Sequence, residues 1–172
     1  MPPSLRAGLD ANVLIAGIRL PRWPHEVLRA ALVGAFRLVL PEQVIVEAQR
    51  HLMPPAQEAA LQAFLDESGY EELPMPSRER VRQNLDVVRS AKDVPIALAL
   101  LDGNVGLFVT NDRDFSEPTA TAPRFREQVR IMLPAVFLRD VLGWSSDALE
   151  AIRHRTWEDL SGPNGGEAGR VT

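Results

Sequence analysis

Short β-prone apolar runs alternate with longer segments of helical periodicity along almost the whole chain, and this alternation most constrains the fold. The first run, about Arg6 to Leu9, passes through Asp10 into the apolar helical stretch ANVLIAGI. PHEVLRAALVGAF follows, with Val27, Leu28, Ala31 and Leu32 at helical spacing, Pro24 near its start and Gly34 as a C-terminal cap. RLVLP reads as the next strand and EQVIVEAQRHL as the next helix. AQEAALQAFLDESG is a further helix, and YEEL an edge strand. SRERVRQNLDVVRSA, opened by Ser77 as N-cap, has the composition of a charged surface helix. KDVPIALALLDG predicts a buried helix beginning near Asp93, with Pro95 in its first turn and Gly103 beyond its end. VGLFVT is almost continuously apolar, as suits a strand covered on both faces. A polar loop, NDRDFSEPTATAP, leads to the strand VRIML, the helix PAVFLRDVL and one last amphipathic helix, SSDALEAIRHRTWEDL.

Strand and helix in alternation, with no internal repeat, predict an α/β fold with a mostly parallel sheet. At 172 residues and 45% hydrophobic content the chain can build one sizeable core, expected over residues 1–160. Residues 161–172 are rich in glycine without apolar periodicity and are expected to form a disordered tail. No apolar run approaches the ~18 residues that cross a bilayer, and MPPSLRAGLD lacks the apolar stretch of a secretion signal. A cytoplasmic protein without a membrane partner is expected.

The chain has no cysteine, and its three histidines, His25, His51 and His154, share no ligand spacing. Any metal must therefore be held by carboxylates, which favour hard ions such as Mg²⁺ or Mn²⁺. A net charge of −4 argues against coating nucleic acid through bulk positive charge. It leaves nucleic acid open as a substrate, because a bound cation reverses the sign of an acidic site.

In a parallel α/β sheet, ligands bind beyond the carboxyl ends of the strands, so acids at those ends are informative. Asp10 follows the first strand, Glu47 lies on the helix after the second, Asp93 opens the buried helix, and Asp112 and Asp114 follow VGLFVT. Each also has a plain structural role open to it. Asp10 and Asp93 are placed as helix caps, Asp112 and Asp114 as turn residues, and Glu47 as a solvated helix residue.

Together these segments resemble the PIN-domain family. LDANVLIAGI resembles its first motif, VIVEAQRHL the second, which supplies a Glu from a helix, and KDVPIALAL the third, an Asp before an Ala/Leu-rich helix. VTNDRDF is the most specific match, and the motif order covers the chain to about Leu142. The third motif lacks the Asp-Pro-Asp-Asp run of some relatives. The resemblance implies a three-layer α/β/α fold around a central, mostly parallel five-stranded sheet, with Asp10 and Asp112 ending neighbouring central strands. It implies that Asp10, Glu47, Asp93 and Asp112 are catalytic and bind one or two Mg²⁺ or Mn²⁺ ions, with Asp114 supporting a second. Such a cluster repels itself until a cation neutralises it.

Asn12, Thr110, Asn111 and Arg113 are the expected substrate-binding residues, with Thr110 or Asn111 bonding a water or a carboxylate oxygen. Arg19 and Arg22 are further candidates for phosphate, although Arg113 also fits a simple pairing with its acidic neighbours. Trp23 is placed either to stack on a base or to pack against a helix. Small chains of this kind resemble VapC-like toxins of bacterial toxin–antitoxin pairs, which implies a metal-dependent endoribonuclease acting on single-stranded RNA and an antitoxin partner. A homodimer is expected, with Leu138, Val141, Leu142 and Trp144 as interface candidates against simple core packing. The alternatives are a housekeeping PIN nuclease in RNA processing and an inactive PIN-fold binding module. A receiver-like domain would need a lysine after its fifth strand, and the one lysine is Lys92.

Overall fold

The structure, a computed structural model, describes residues 5–161. Five strands form one sheet: β1 (Arg6–Leu9), β2 (Arg37–Pro41), β3 (Glu71–Leu73), β4 (Leu107–Val109) and β5 (Arg130–Met132). Their order is β3-β2-β1-β4-β5 and every pairing is parallel. The helices are α1 (Ala11–Arg19), α2 (Trp23–Leu32), α3 (Glu42–His51), α4 (Pro55–Ser68), α5 (Arg78–Gln83), α6 (Val94–Asp102), α7 (Arg113–Ser116), α8 (Pro123–Arg126), α9 (Pro134–Asp140), α10 (Ser146–Ala151) and α11 (Trp157–Ser161). A 3₁₀ turn over Ala91–Asp93 leads into α6.

In this order the right-handed rule for parallel crossovers puts the β1–β2 and β2–β3 helices on one face and the β3–β4 and β4–β5 helices on the other, in keeping with the packing of α1 on α2, α3 and α4 and of α5 on α6. The helix α9 returns to the first face and packs on α2. With both faces covered, the central strands need continuous apolar sequence, and Ala7, Leu9, Val39, Leu40, Phe108 and Val109 are fully buried. Gly8 permits α6 to press on β1, since a Cβ there would stand 3.0 Å from Leu100 Cδ2 and 3.2 Å from Phe108 Cδ1. No helix among the described residues is long and apolar enough to cross a membrane.

Three expected elements differ. The charged helix after Ser77 keeps its serine cap, with the hydroxyl accepting from Arg80 N, but stops at Gln83. Val87 and Val88 are buried, so the chain leaves the helix and lies along the β4–β5 connection, where Val88 bridges Thr121. That connection is not a plain loop but carries α7 and α8, because Phe115 and Phe125 are drawn into the core, Phe115 edge-on to Phe108 at 5.1 Å. The last helix is broken into α10 and α11 by a turn in which Arg155 reaches Pro21 O at 2.6 Å and Glu26 at 2.7 Å. Leu138, expected at an exposed interface, is fully buried, and Val141, Leu142 and Trp144 are half-buried against the core. The tail expected to be disordered lies, from Gly162 onward, outside the described residues, and Ser161 closes α11.

Candidate metal centre

The chain leaves β1 toward β2 and leaves β4 toward β5, in opposite directions from two adjacent strands. Such a switch point opens a crevice at the carboxyl ends of both. Asp10 and the Thr110–Asp112 segment sit at its two lips, joined by the bond from Asp10 N to Val109 O at 3.0 Å.

Asp10 is 4% exposed, and both of its oxygens have hydrogen-bond partners. Oδ1 accepts from Ala11 N at 2.8 Å, which caps α1. Oδ2 accepts from the Thr110 hydroxyl at 2.7 Å and from Asn12 Nδ2 at 3.4 Å. The Thr110 hydroxyl in turn accepts from Asp112 N at 2.9 Å, and Asn12 Oδ1 from Asn111 N at 3.1 Å. Asp112 caps α7, its Oδ1 accepting from Asp114 N at 2.8 Å. Both aspartates are therefore caps, as their local sequence allows, and both still stand in the crevice.

Asp93 is different. It is 4% exposed, its side chain does not cap α6, and its Oδ2 is buried with no hydrogen-bond partner. An orphaned carboxylate oxygen is costly unless something charged is to meet it. Carboxylate oxygens of Asp93, Asp112 and Asp114 lie within 4.8 Å of one another, a donor set of the kind a hard divalent cation takes. The half-buried Glu47 carboxylate accepts from Gln43 Nε2 at 3.0 Å. The same amide donates to Lys92 O at 2.7 Å, which ties α3 to the turn carrying Asp93.

The electrostatics agree with this clustering. Burial pushes Asp10 up to about 7, against the hydrogen bonds from Thr110 and Ala11, and the charges of Asp93 and Asp112 push the same way. Burial likewise lifts Asp93 to about 6, with Asp112 the next contributor and Glu47 adding to it while Lys92 opposes. The site concentrates negative charge that Lys92 and, at Asp114, Arg89 offset only in part.

Other expected residues are distributed differently. Asp114, placed at the margin by sequence, is in the tightest set, whereas Asp10 and Glu47 stand outside the 4.8 Å group. Thr110 has no exposed surface, and its hydroxyl is committed to Asp10 and Asp112, so of its two expected roles the geometry supports bonding a carboxylate. Asn111 and Arg113 are exposed, and Arg113 makes no ion pair among the described residues. Arg89 takes that place: its guanidinium reaches Asp114 at 3.0 Å, Glu117 at 2.8 Å and Arg113 O at 3.3 Å. Nothing local marks Arg89, since its position depends on the Val88–Thr121 bridge. Arg19 and Arg22 are not in the crevice: Arg19 reaches His51 O at 2.7 Å and Arg22 reaches Arg155 O at 3.2 Å. Trp23 packs, donating to Leu149 O at 2.9 Å.

No protein-family model and no curated protein matches the sequence. Among solved structures, PAE2754 from Pyrobaculum aerophilum superposes with a TM-score of 0.54 at 15% identity, over 84% of this chain and 100% of that one. VapBC2 from Rickettsia felis, solved bound to a DNA fragment from their promoter, matches at a TM-score of 0.48 and 16% identity, over 75% of this chain and 97% of that one. At such identity the likeness concerns fold, and together with the parallel β3-β2-β1-β4-β5 sheet it gives this chain the PIN-like three-layer α/β/α fold.

Proposed function

We propose that the chain is a divalent-metal-dependent endoribonuclease cleaving single-stranded RNA, and that it serves as the toxin of a toxin–antitoxin pair. The observation that carries the reading is the buried, unpartnered oxygen of Asp93 in a carboxylate cluster with Asp112 and Asp114 at the sheet's switch point. Asp93, Asp112 and Asp114 would hold Mg²⁺ or Mn²⁺, with Asp10 and Glu47 completing the negative field. Such an ion, when bound, supplies a water acidic enough to attack at neutral pH and positive charge for the phosphate.

The chain's own residues perform the positioning. Thr110 and Asn12 hold the Asp10 carboxylate in one orientation and lock it to the end of β4. Gln43 steadies Glu47 against the turn of Asp93. The exposed Asn111 and Arg113 flank Asp112 in sequence, where they would meet the RNA backbone. The motif resemblance in LDANVLIAGI and VTNDRDF supports the PIN-type nuclease, whereas the toxin role, with an antitoxin silencing the crevice, rests on the resemblance of small chains of this kind to VapC-like toxins.

The deciding experiment combines calorimetric titration with Mg²⁺ and Mn²⁺ and cleavage of structured and unstructured RNA, with and without EDTA. Metal binding and EDTA-sensitive cleavage of the unstructured RNA are expected. Neither binding nor cleavage under any of these conditions would show the reading wrong.

A further inference from the structure

Beyond the carboxylates, the corner where β3 ends and α6 begins carries a second feature. Met75, Pro76, Arg78, Val81, Arg82 and Pro95 line a groove of about 390 Å³, within the range of ligand pockets. Pro95 belongs to the first turn of α6, two residues after Asp93, so the groove and the carboxylate cluster both draw on the start of that helix. The segment is tied there: Met75 N donates to Glu42 Oε2 at 3.3 Å, and Gln43 of the same α3 turn bonds Lys92 O.

Charge and surface chemistry distinguish this groove. Arg78 and Arg82 are one helical turn apart on α5, both exposed, and neither has a hydrogen-bond or ion-pair partner among the described residues. Arg80 between them is spent on Asp102. The floor between the two cations is apolar, with Met75 45% exposed. Pro76 and Pro95 have no N–H to offer a peptide backbone, whereas a nucleobase needs only a flat apolar face, and a thioether makes favourable contacts with aromatic rings.

We propose that this groove is a subsite for one unpaired nucleotide of the RNA, at a position removed from the scissile bond. Arg78 and Arg82 hold its phosphates, and Met75, Val81 and Pro95 take the face of its base. The assignment rests on the ribonuclease reading and extends it outward from the metal cluster toward the β3 edge of the sheet.

The test uses the full chain, a fluorescent single-stranded oligoribonucleotide of about 12 nucleotides, and a blunt duplex of the same sequence. Arg78→Ala with Arg82→Ala should weaken single-strand binding at least tenfold by anisotropy and raise KM with kcat retained. It should lower the salt dependence of log K by roughly 1.4, two contacts at about 0.7 each. Met75→Asp tests the floor independently and should weaken binding without changing the salt slope. Because α5 buries no side chain, circular dichroism of the variants should match the wild type. If wild-type protein cleaves the RNA and the double variant binds it with unchanged affinity and slope, the subsite is refuted while the nuclease stands. That result, together with lost binding of a protein partner, would assign the groove to that partner. Failure of the wild type to bind or cleave RNA at all refutes both readings.

Discussion

Asp10 caps a helix with one oxygen and receives Thr110 with the other, so a helix-capping role and a position beside the carboxylate cluster do not exclude each other at this residue. Substitution separates the two. Asn retains capping ability at Asp10 and Asp112 but removes the charge. Asp10→Asn and Asp112→Asn should therefore keep the fold while RNA cleavage drops by roughly 100-fold, about 2.7 kcal/mol, and calorimetric divalent affinity falls with it. Wild-type cleavage in both variants would reject a role for these carboxylates. The raised titration of Asp10 adds a pH effect in the metal-free protein. Its folded value near 7 lies above the free-carboxylate value of 3.8, so ionisation favours the unfolded chain. Stability in EDTA should fall as pH rises from about 4 to about 7 and level off above, by on the order of 4 kcal/mol at most. Melting curves of Asp10→Asn should lose that part of the slope. Arg89, exposed and bonded to Asp114 and Glu117, competes with any cation for Asp114. Arg89→Ala should raise divalent affinity severalfold in calorimetry. A fall would mean that Arg89 holds Asp114 in ligating orientation.

At the scale of elements, the pieces that were plain in sequence were those whose burial follows from their own periodicity. RLVLP and KDVPIALAL each carry the apolar pattern of a covered strand or helix, and β2 and α6 appear where expected. SRERVRQNLDVVRSA failed past Gln83 because its charged pattern favours a surface helix while Val87 and Val88 are claimed by the β4–β5 connection. The C-terminal helix failed for a similar reason, since Arg155 is taken by Glu26 and Pro21 on a distant helix and loop. The pairing of α1 with α2 has a tighter requirement. A Cβ on Gly17 would lie 2.6 Å from Leu28 Cδ1 and 3.1 Å from Pro24 O. Gly17→Ala should therefore cost about 1–3 kcal/mol through displacement of Leu28, measured by urea unfolding.

Over the whole molecule, parallel strand order does what no single segment can. It sets the end of β1 beside the end of β4, and so brings together acids from four separate stretches of chain. The same scale governs association. The half-buried Val141, Leu142 and Trp144, with the 81%-exposed Val33 sharing a cleft with Leu142 and Trp144, are the surface through which a homodimer is expected. Light scattering at high concentration should return a dimer mass, and a Val33→Glu change should shift it to the monomer. A wild-type monomer at that concentration removes the dimer.

The alternation of elements, the strand end at Leu9 and the presence of acids just beyond the first and fourth strands were determined by sequence, because apolar periodicity and capping are local properties of a few neighbouring residues. Tertiary structure alone decided which carboxylates share the tightest cluster, that Thr110 is buried beneath Asp10, that Arg89 rather than Arg113 meets Asp114, and that Leu138 faces the core. Each of those outcomes depends on a distance between residues far apart in the chain. Such distances are set by strand order, by the hand of the crossovers and by competition among loops for the same buried space.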